Sequence, residues 1–292
     1  MANIFHRLLS ITISVVFCFS FLVSVRAQIY VPPSVPDNKN KSISAEYPSL
    51  PDSIMDAELT KIDGTKYRLS DLRGKVVLLN LWGLWCGPCR TQMPGMVKLQ
   101  KKYESDRFAV VGLNIGDEDG AREKLQKIKV FSQTYHINYD LVRSPSKELI
   151  NDVYKISTQE VVPQSFLIGI DGSLRGIFTG GGSYVDTRMF SEVEKTVTES
   201  KGKSILEGSI TDTFGAVIPQ ALITAQASDG TKYETHTNFN GKYSLMLPPD
   251  SYSITVSYRQ YDAANIPKYQ LVESGIMTLD MTLTCKNCIV VN

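Results

Sequence analysis

The sequence lacks a dominant charge. Its 31 Lys and Arg stand against 30 Asp and Glu over 292 residues. The first 27 residues hold Arg7 and Arg26 but no acid, which leaves 29 basic and 30 acidic residues beyond them. Such balance argues against nucleic acid or an anionic membrane surface as a partner. Beyond the N-terminus, no stretch is long and apolar enough to cross a bilayer. The only glycine cluster, Gly180-Gly181-Gly182, lacks nucleotide-fingerprint spacing and reads as a loop beside an active site. Histidine is scarce: His136 and His236 have no ligand-like neighbours, so no metal site is expected. Asp117-Glu118-Asp119-Gly120 lacks the later ligands of a calcium loop and reads as a solvated turn.

What is present begins with the N-terminus. Arg7 leads into an apolar run over residues 8–25, followed by Val25-Arg26-Ala27. A basic start, an apolar middle and a small-residue site describe a secretory signal peptide over 1–27, removed ahead of Gln28. The alternative is an uncleaved membrane anchor, since the run approaches spanning length. Residues 28–46, with Pro32, Pro33 and Pro36, read as an extended tether. The expected location is a bacterial periplasm. Cleavage removes Cys18 and leaves Cys86, Cys89, Cys285 and Cys288, an even set suited to an oxidising compartment.

Apolar residues make up 42% of the chain and charged residues 21%, enough to build cores in about two domains. The first spans 47–200. A hairpin over 57–72 turns at Asp63-Gly64. The near-continuous apolar run Val76-Val77-Leu78-Leu79-Asn80-Leu81-Trp82 predicts a strand covered on both faces. It runs into Trp85-Cys86-Gly87-Pro88-Cys89-Arg90, after which Met93, Met96, Val97 and Leu99 recur at helical spacing and form its core face. Further periodicity predicts strands at 108–115, 165–170 and 173–179, with helices at 121–135 and 146–156 and a last helix starting near Asp186. This alternation gives an α/β domain, a central mixed sheet flanked by helices. After a linker at 201–204 the helical period stops. Short alternating runs and turn signals over 205–284 predict an all-β antiparallel sandwich, followed by a tail over 285–292.

The chemistry concentrates at Cys86 and Cys89. A thiolate is the nucleophile in disulfide exchange, and a helix N-terminus stabilises it with partial positive charge and free N–H groups. Cys86, ahead of the helix, is expected to be the exposed attacking sulfur, and Cys89, one turn in, the resolving one. Pro88 is tolerated in the first turn. A structural staple needs neither Trp85 nor the Gly87-Pro88 spacer. A thiol peroxidase, a rival reading, normally carries Thr or Ser three residues before a lone attacking Cys, where this chain has Gly83. A third reading is an extracytoplasmic binding or scaffold protein with an inert disulfide.

These motifs, from Gly74 to Trp82 and from Trp85 to Arg90 with Met93-Pro94, resemble the TlpA/ResA-like branch of the thioredoxin superfamily over residues 47–199. The resemblance implies a thioredoxin fold and an extracytoplasmic thiol–disulfide oxidoreductase that mostly reduces protein disulfides. It implies no cofactor beyond the redox-active dithiol. It also implies a cis-proline beside the cysteines, matched by Val162-Pro163; Trp85, Gly87, Pro88, Val162 and Pro163 would then meet the substrate peptide. The Gly-Pro spacer resembles that of reducing thioredoxins, so a membrane electron donor is expected to recharge the pair. Cytochrome c maturation is the family's best-known pathway, and nothing in the chain selects it. Three positions depart from the pattern: Gln92 stands where relatives often have Glu, Asn80 where cytoplasmic thioredoxins have Asp, and Gln164 where Thr is usual. Residues 205–284 are similar to carboxypeptidase-regulatory-like sandwiches, which are accessory modules. For Cys285 and Cys288 a structural disulfide, a second redox pair and, third, metal binding stand open. In a straight strand they would sit about 10 Å apart, so pairing requires a turn at Lys286-Asn287.

Overall fold

A computed structural model describes residues 50–286 except 104–106, 118, 120 and 274, together with the short strand β1 (Ile43–Ser44). The signal peptide, Cys18, nearly all of the tether and Cys288 lie outside the described residues. The first domain opens with α1 (Asp52–Met55), β2 (Leu59–Lys61), β3 (Lys66–Tyr67) and a 3₁₀ turn at Leu69–Leu72. Then follow β4 (Val76–Trp82), α2 (Gly87–Lys102), β5 (Phe108–Asn114), α3 (Leu125–Thr134), β6 (Asp140–Arg143), α4 (Lys147–Ser157), β7 (Gln164–Ile168), β8 (Leu174–Thr179) and α5 (Ser183–Ser200). Seven strands form one sheet in the order β3-β2-β6-β5-β4-β7-β8. β4 pairs in parallel with β5 and antiparallel with β7, so the sheet is mixed.

Every residue of β4 is buried because both faces of the sheet are covered. Val77, Leu79 and Leu81 pack with Leu149, Ile150 and Val153 of α4. Val76 and Leu78 face the other way, toward Met96 of α2 and Met189 and Val193 of α5, while Trp82 joins Ile128 and Phe131 of α3. Period-two alternation also sends Asn80 to the α2 side. α2 and α5 approach closely at Gly95, where a Cβ would lie 2.3 Å from Phe190 Cζ.

The second domain contains β9 (Ser204–Asp212), β10 (Leu222–Gln226), β11 (Lys232–His236), β12 (Lys242–Leu247), β13 (Ser251–Ser257), β14 (Ala264–Gln270), β15 (Ile276–Thr278) and β16 (Met281–Leu283). It is the expected sandwich. One sheet runs β1-β11-β10-β13-β14 and the other β12-β9-β15, with β16 also on β9. Pairing is antiparallel except for β1 with β11 and for β15 and β16 with β9. Along β12 and β13 buried positions alternate with more open ones, the pattern of strands covered on one face.

The domains are not beads on a string. Lys201 caps α5, Gly202 turns at φ 71°, and β9 begins at Ser204. Ile205 of β9 is buried in the same cluster as Phe178, Val193 and Val197, with Met246 of β12 against it. Arg73 pairs with Glu207, and Asp52 accepts from Asn240 Nδ2 at 2.7 Å.

Candidate active site

The site forms where β4 ends and α2 begins, at the carboxyl edge of a central strand. Cys86 is the N-cap of α2, and its Sγ accepts a hydrogen bond from the Cys89 backbone N–H at 3.2 Å. Cys86 and Cys89 form a disulfide with Cα atoms 5.3 Å apart. Pro88 sits in the first turn, where its missing N–H costs nothing.

One expectation needs correction. Cys86 is 2% exposed and Cys89 1%, so the sulfur expected to attack is not on the surface. In the disulfide the Cys86 side chain folds inward, into a cluster with Trp82, Met93, Ile128 and Phe131. Trp85, 40% exposed, carries the surface of this loop instead.

The peptide bond between Val162 and Pro163 is cis. Val162 packs on the cysteine cluster, and the Pro163 carbonyl accepts from Gly180 N at 2.9 Å. A Cβ on Gly181 would lie 3.1 Å from Pro88 Cβ and 3.4 Å from Pro163 Cγ. Thus Pro88, Pro163 and Gly181 converge, although 181 is far from the cysteines in sequence. Gly180 and Gly182 adopt φ 83° and 120°, which glycine tolerates best.

Trp85 is held from the other side. Its Nε1 donates to Gly116 O at 3.0 Å, and the indole lies over Gly83, where a Cβ would fall 2.6 Å from Nε1. Gly83→Thr is therefore expected to expel the indole and slow disulfide exchange about tenfold or more, with the fold retained. Tryptophan fluorescence and insulin-reduction rates would check this.

Sequence reading missed three side chains. Glu123 belongs to the expected 121–135 helix, but α3 starts only at Leu125. Glu123 is buried, accepting from Leu84 N at 3.0 Å and from Asn114 Nδ2 at 2.7 Å, and so ties the loop before Cys86 to β5. Burial raises its carboxyl above the ordinary range, and those two hydrogen bonds oppose the shift. Asp186, expected near a helix start, lies in the first turn of α5 and accepts from Gln92 Nε2 at 2.6 Å. Gln92 Oε1 accepts from Asn80 Nδ2 at 3.2 Å, and Asn80 Nδ2 also donates to Ser165 Oγ at 3.0 Å. Under α2, then, the two departures Asn80 and Gln92 bond to each other, and Asp186 supplies the carboxylate. Arg143, the third, lies on the unexpected strand β6.

Cys285 is disulfide-bonded, and its backbone forms an isolated antiparallel β-bridge with Tyr261. It belongs to the sandwich end and is not among the residues gathered around Cys86.

The sequence model of the AhpC/TSA family matches residues 50–177, and that of the carboxypeptidase regulatory-like domain matches 205–284. The thioredoxin-like protein YneN of Bacillus subtilis (strain 168) is 34% identical over 125 residues, covering 43% of this chain and 68% of that protein. This chain belongs to the thioredoxin-like thiol–disulfide oxidoreductase family of YneN and ResA. The ResA of Geobacillus kaustophilus (strain HTA426) is 33% identical over 125 residues, covering 43% of this chain and 66% of ResA. The chain thus spans about two thirds of these relatives' length. Among solved structures, a thioredoxin-family thiol:disulfide interchange protein from Chlorobium tepidum TLS is similar at 27% identity, covering 48% of this chain and 92% of that one, with a TM-score of 0.41. The YneN and ResA similarity accounts for the thioredoxin domain, and the 205–284 match for the sandwich.

Proposed function

We propose that this protein is an exported reductase of protein disulfides. The observation that carries the reading is the Cys86–Cys89 pair at the N-cap of α2, with the cis Val162–Pro163 bond against it. In the reduced protein the Cys86 thiolate attacks a substrate disulfide, forms a mixed disulfide and releases one substrate thiolate. Cys89, losing its proton, then attacks Cys86 Sγ and releases the second. Two electrons pass to the substrate, its two thiolates take up protons, and the enzyme is left as the Cys86–Cys89 disulfide. An external dithiol donor, expected at the membrane, returns the electrons. Helix N-terminal N–H groups favour the thiolate at Cys86. Trp85, Gly87, Pro88, Val162 and Pro163 contact the substrate segment, Val162 pairing with it as a strand edge does. The basic and apolar N-terminal sequence supports export; among the described residues no helix is long and apolar enough to span a membrane.

The AhpC/TSA match favours peroxidase as a second reading. Against it stand the partnered cysteine and Gly83, whose place cannot accept a side chain while Trp85 lies over it.

The test is substrate trapping. Cys89→Ala, expressed in the native host, is expected to accumulate mixed disulfides through Cys86, visible on non-reducing gels and abolished by adding Cys86→Ser. A folded, exported variant with Cys86 free and no adducts contradicts the reading.

A further inference from the structure

Beside Trp85 and Val162 opens a cleft of about 580 Å³ between the end of β5 and the start of α4. Its wall carries Arg122, Arg143 and Lys147. Among the described residues neither guanidinium has a carboxylate within ion-pair distance. Arg122 donates to Ser144 O at 3.1 Å and Arg143 to Glu123 O at 3.3 Å, both backbone carbonyls. Arg143 Nε is buried with no hydrogen-bond partner among the described residues, which costs free energy and leaves the outer guanidinium nitrogens to meet a ligand. Burial, and then the neighbouring Arg122 charge, hold Arg143 below the ordinary guanidinium range. An anion between the two would relieve that repulsion. The N-terminus of α4, capped by Ser146, opens onto the same cleft and adds partial positive charge. Asp117, Asp119 and Glu160 also line it. Asp117 is engaged in its own turn, accepting from Ala121 N at 2.7 Å.

We propose that this cleft binds a carboxylate of the substrate polypeptide near its disulfide, seated between Arg122 and Arg143. Resting on the reductase reading, the inference adds a substrate class: disulfides flanked by acidic residues. Val162 lines the cleft and packs on the cysteine cluster, and Trp85, which also lines the cleft, directly precedes Cys86, so one bound segment would reach both. Paired guanidiniums suit a carboxylate because each presents donors in a planar fork.

The experiment uses the reduced protein and synthetic peptides closed by one disulfide, identical except for Glu or Gln two residues outside each cysteine. Both have amidated C-termini, and a third, Gln peptide has a free C-terminal carboxylate. At low ionic strength the Glu peptide is expected to react about tenfold faster than the amidated Gln peptide. High salt should shrink that ratio. The Arg122→Gln, Arg143→Gln double variant, checked for folding by circular dichroism, should bring it to about one. A gain confined to the free C-terminus would assign the cleft to chain ends and overturn acidic side chains as its ligand. Equal rates for Glu and amidated Gln peptides in the wild-type protein overturn the inference but leave the reductase reading intact. Failure to reduce any peptide overturns both. If the double variant does not fold, the wild-type ratio and its salt dependence decide.

Discussion

Cys86→Ser is expected to lower protein-disulfide reduction by about three orders of magnitude or more, leaving a folded protein. The serine hydroxyl stays protonated at neutral pH and is a far weaker nucleophile than a cysteine thiolate. The pair acts as a unit, so the effects of its members do not add. Cys89→Ala should retain the first attack and lose the second, giving one stalled adduct per molecule and no turnover. Measuring insulin reduction together with adduct formation separates the two roles. Equal turnover by Cys86→Ser and wild type would remove Cys86 from the reaction. Loss of the fold in Cys86→Ser would point instead to a staple that holds the helix start in place.

Ile205→Ala should destabilise the chain by about 2–5 kcal/mol, and the loss should be felt in both domains. Ile205 belongs by chain order to the sandwich, yet it is 2% exposed within the core formed by Phe178, Val193 and Val197 of the thioredoxin domain. Removing its methyl groups leaves a cavity at the point where β9 departs from α5. Arg73–Glu207 spans the same boundary, but a partly exposed ion pair contributes little by comparison. Urea unfolding followed by tryptophan fluorescence, which reports Trp82 and Trp85, and by far-ultraviolet circular dichroism should show one shared transition that moves to lower denaturant in the variant. Two separate transitions, with only the sandwich affected, would mean that the domains fold independently.

The parts of this fold legible in sequence were those whose signal is local. The all-buried run of β4 announces a strand covered on both faces, and Cys86 to Cys89 announce the helix that follows it. Turn residues at Asp171-Gly172 and Asn240-Gly241 mark chain reversals directly; Gly172 and Gly241 have φ 81° and 72°. β6 was missed because Asp140–Arg143 is too short to display alternation, and its place comes from pairing with β5. The expected 121–135 helix was too long at its start. Glu123 is drawn off the helix to bind Leu84 N and Asn114, a tertiary demand with no local pattern. The burial of Cys86 comes from packing against Trp82, Ile128 and Phe131, and α3 is too far along the chain to be read from the local motif. Gly181 against Pro163, and Asp186 against Gln92, join segments distant in sequence. The cleft at Arg122 and Arg143 depends on both misses, the shortened helix and the absent strand.

Whether Cys86 and Cys89 are a redox-active pair is tested most directly by a redox titration of the full chain in glutathione buffers, with thiols alkylated and located by mass spectrometry. Cys86 and Cys89 are expected to be reduced reversibly and together, in the range of about −180 to −300 mV where exchange proteins operate. Cys86 should be alkylated first, and near-ultraviolet circular dichroism should report a folded protein throughout. A pair that stays oxidised well below that range, or whose reduction unfolds the domain, would identify a structural disulfide and rule out exchange at Cys86.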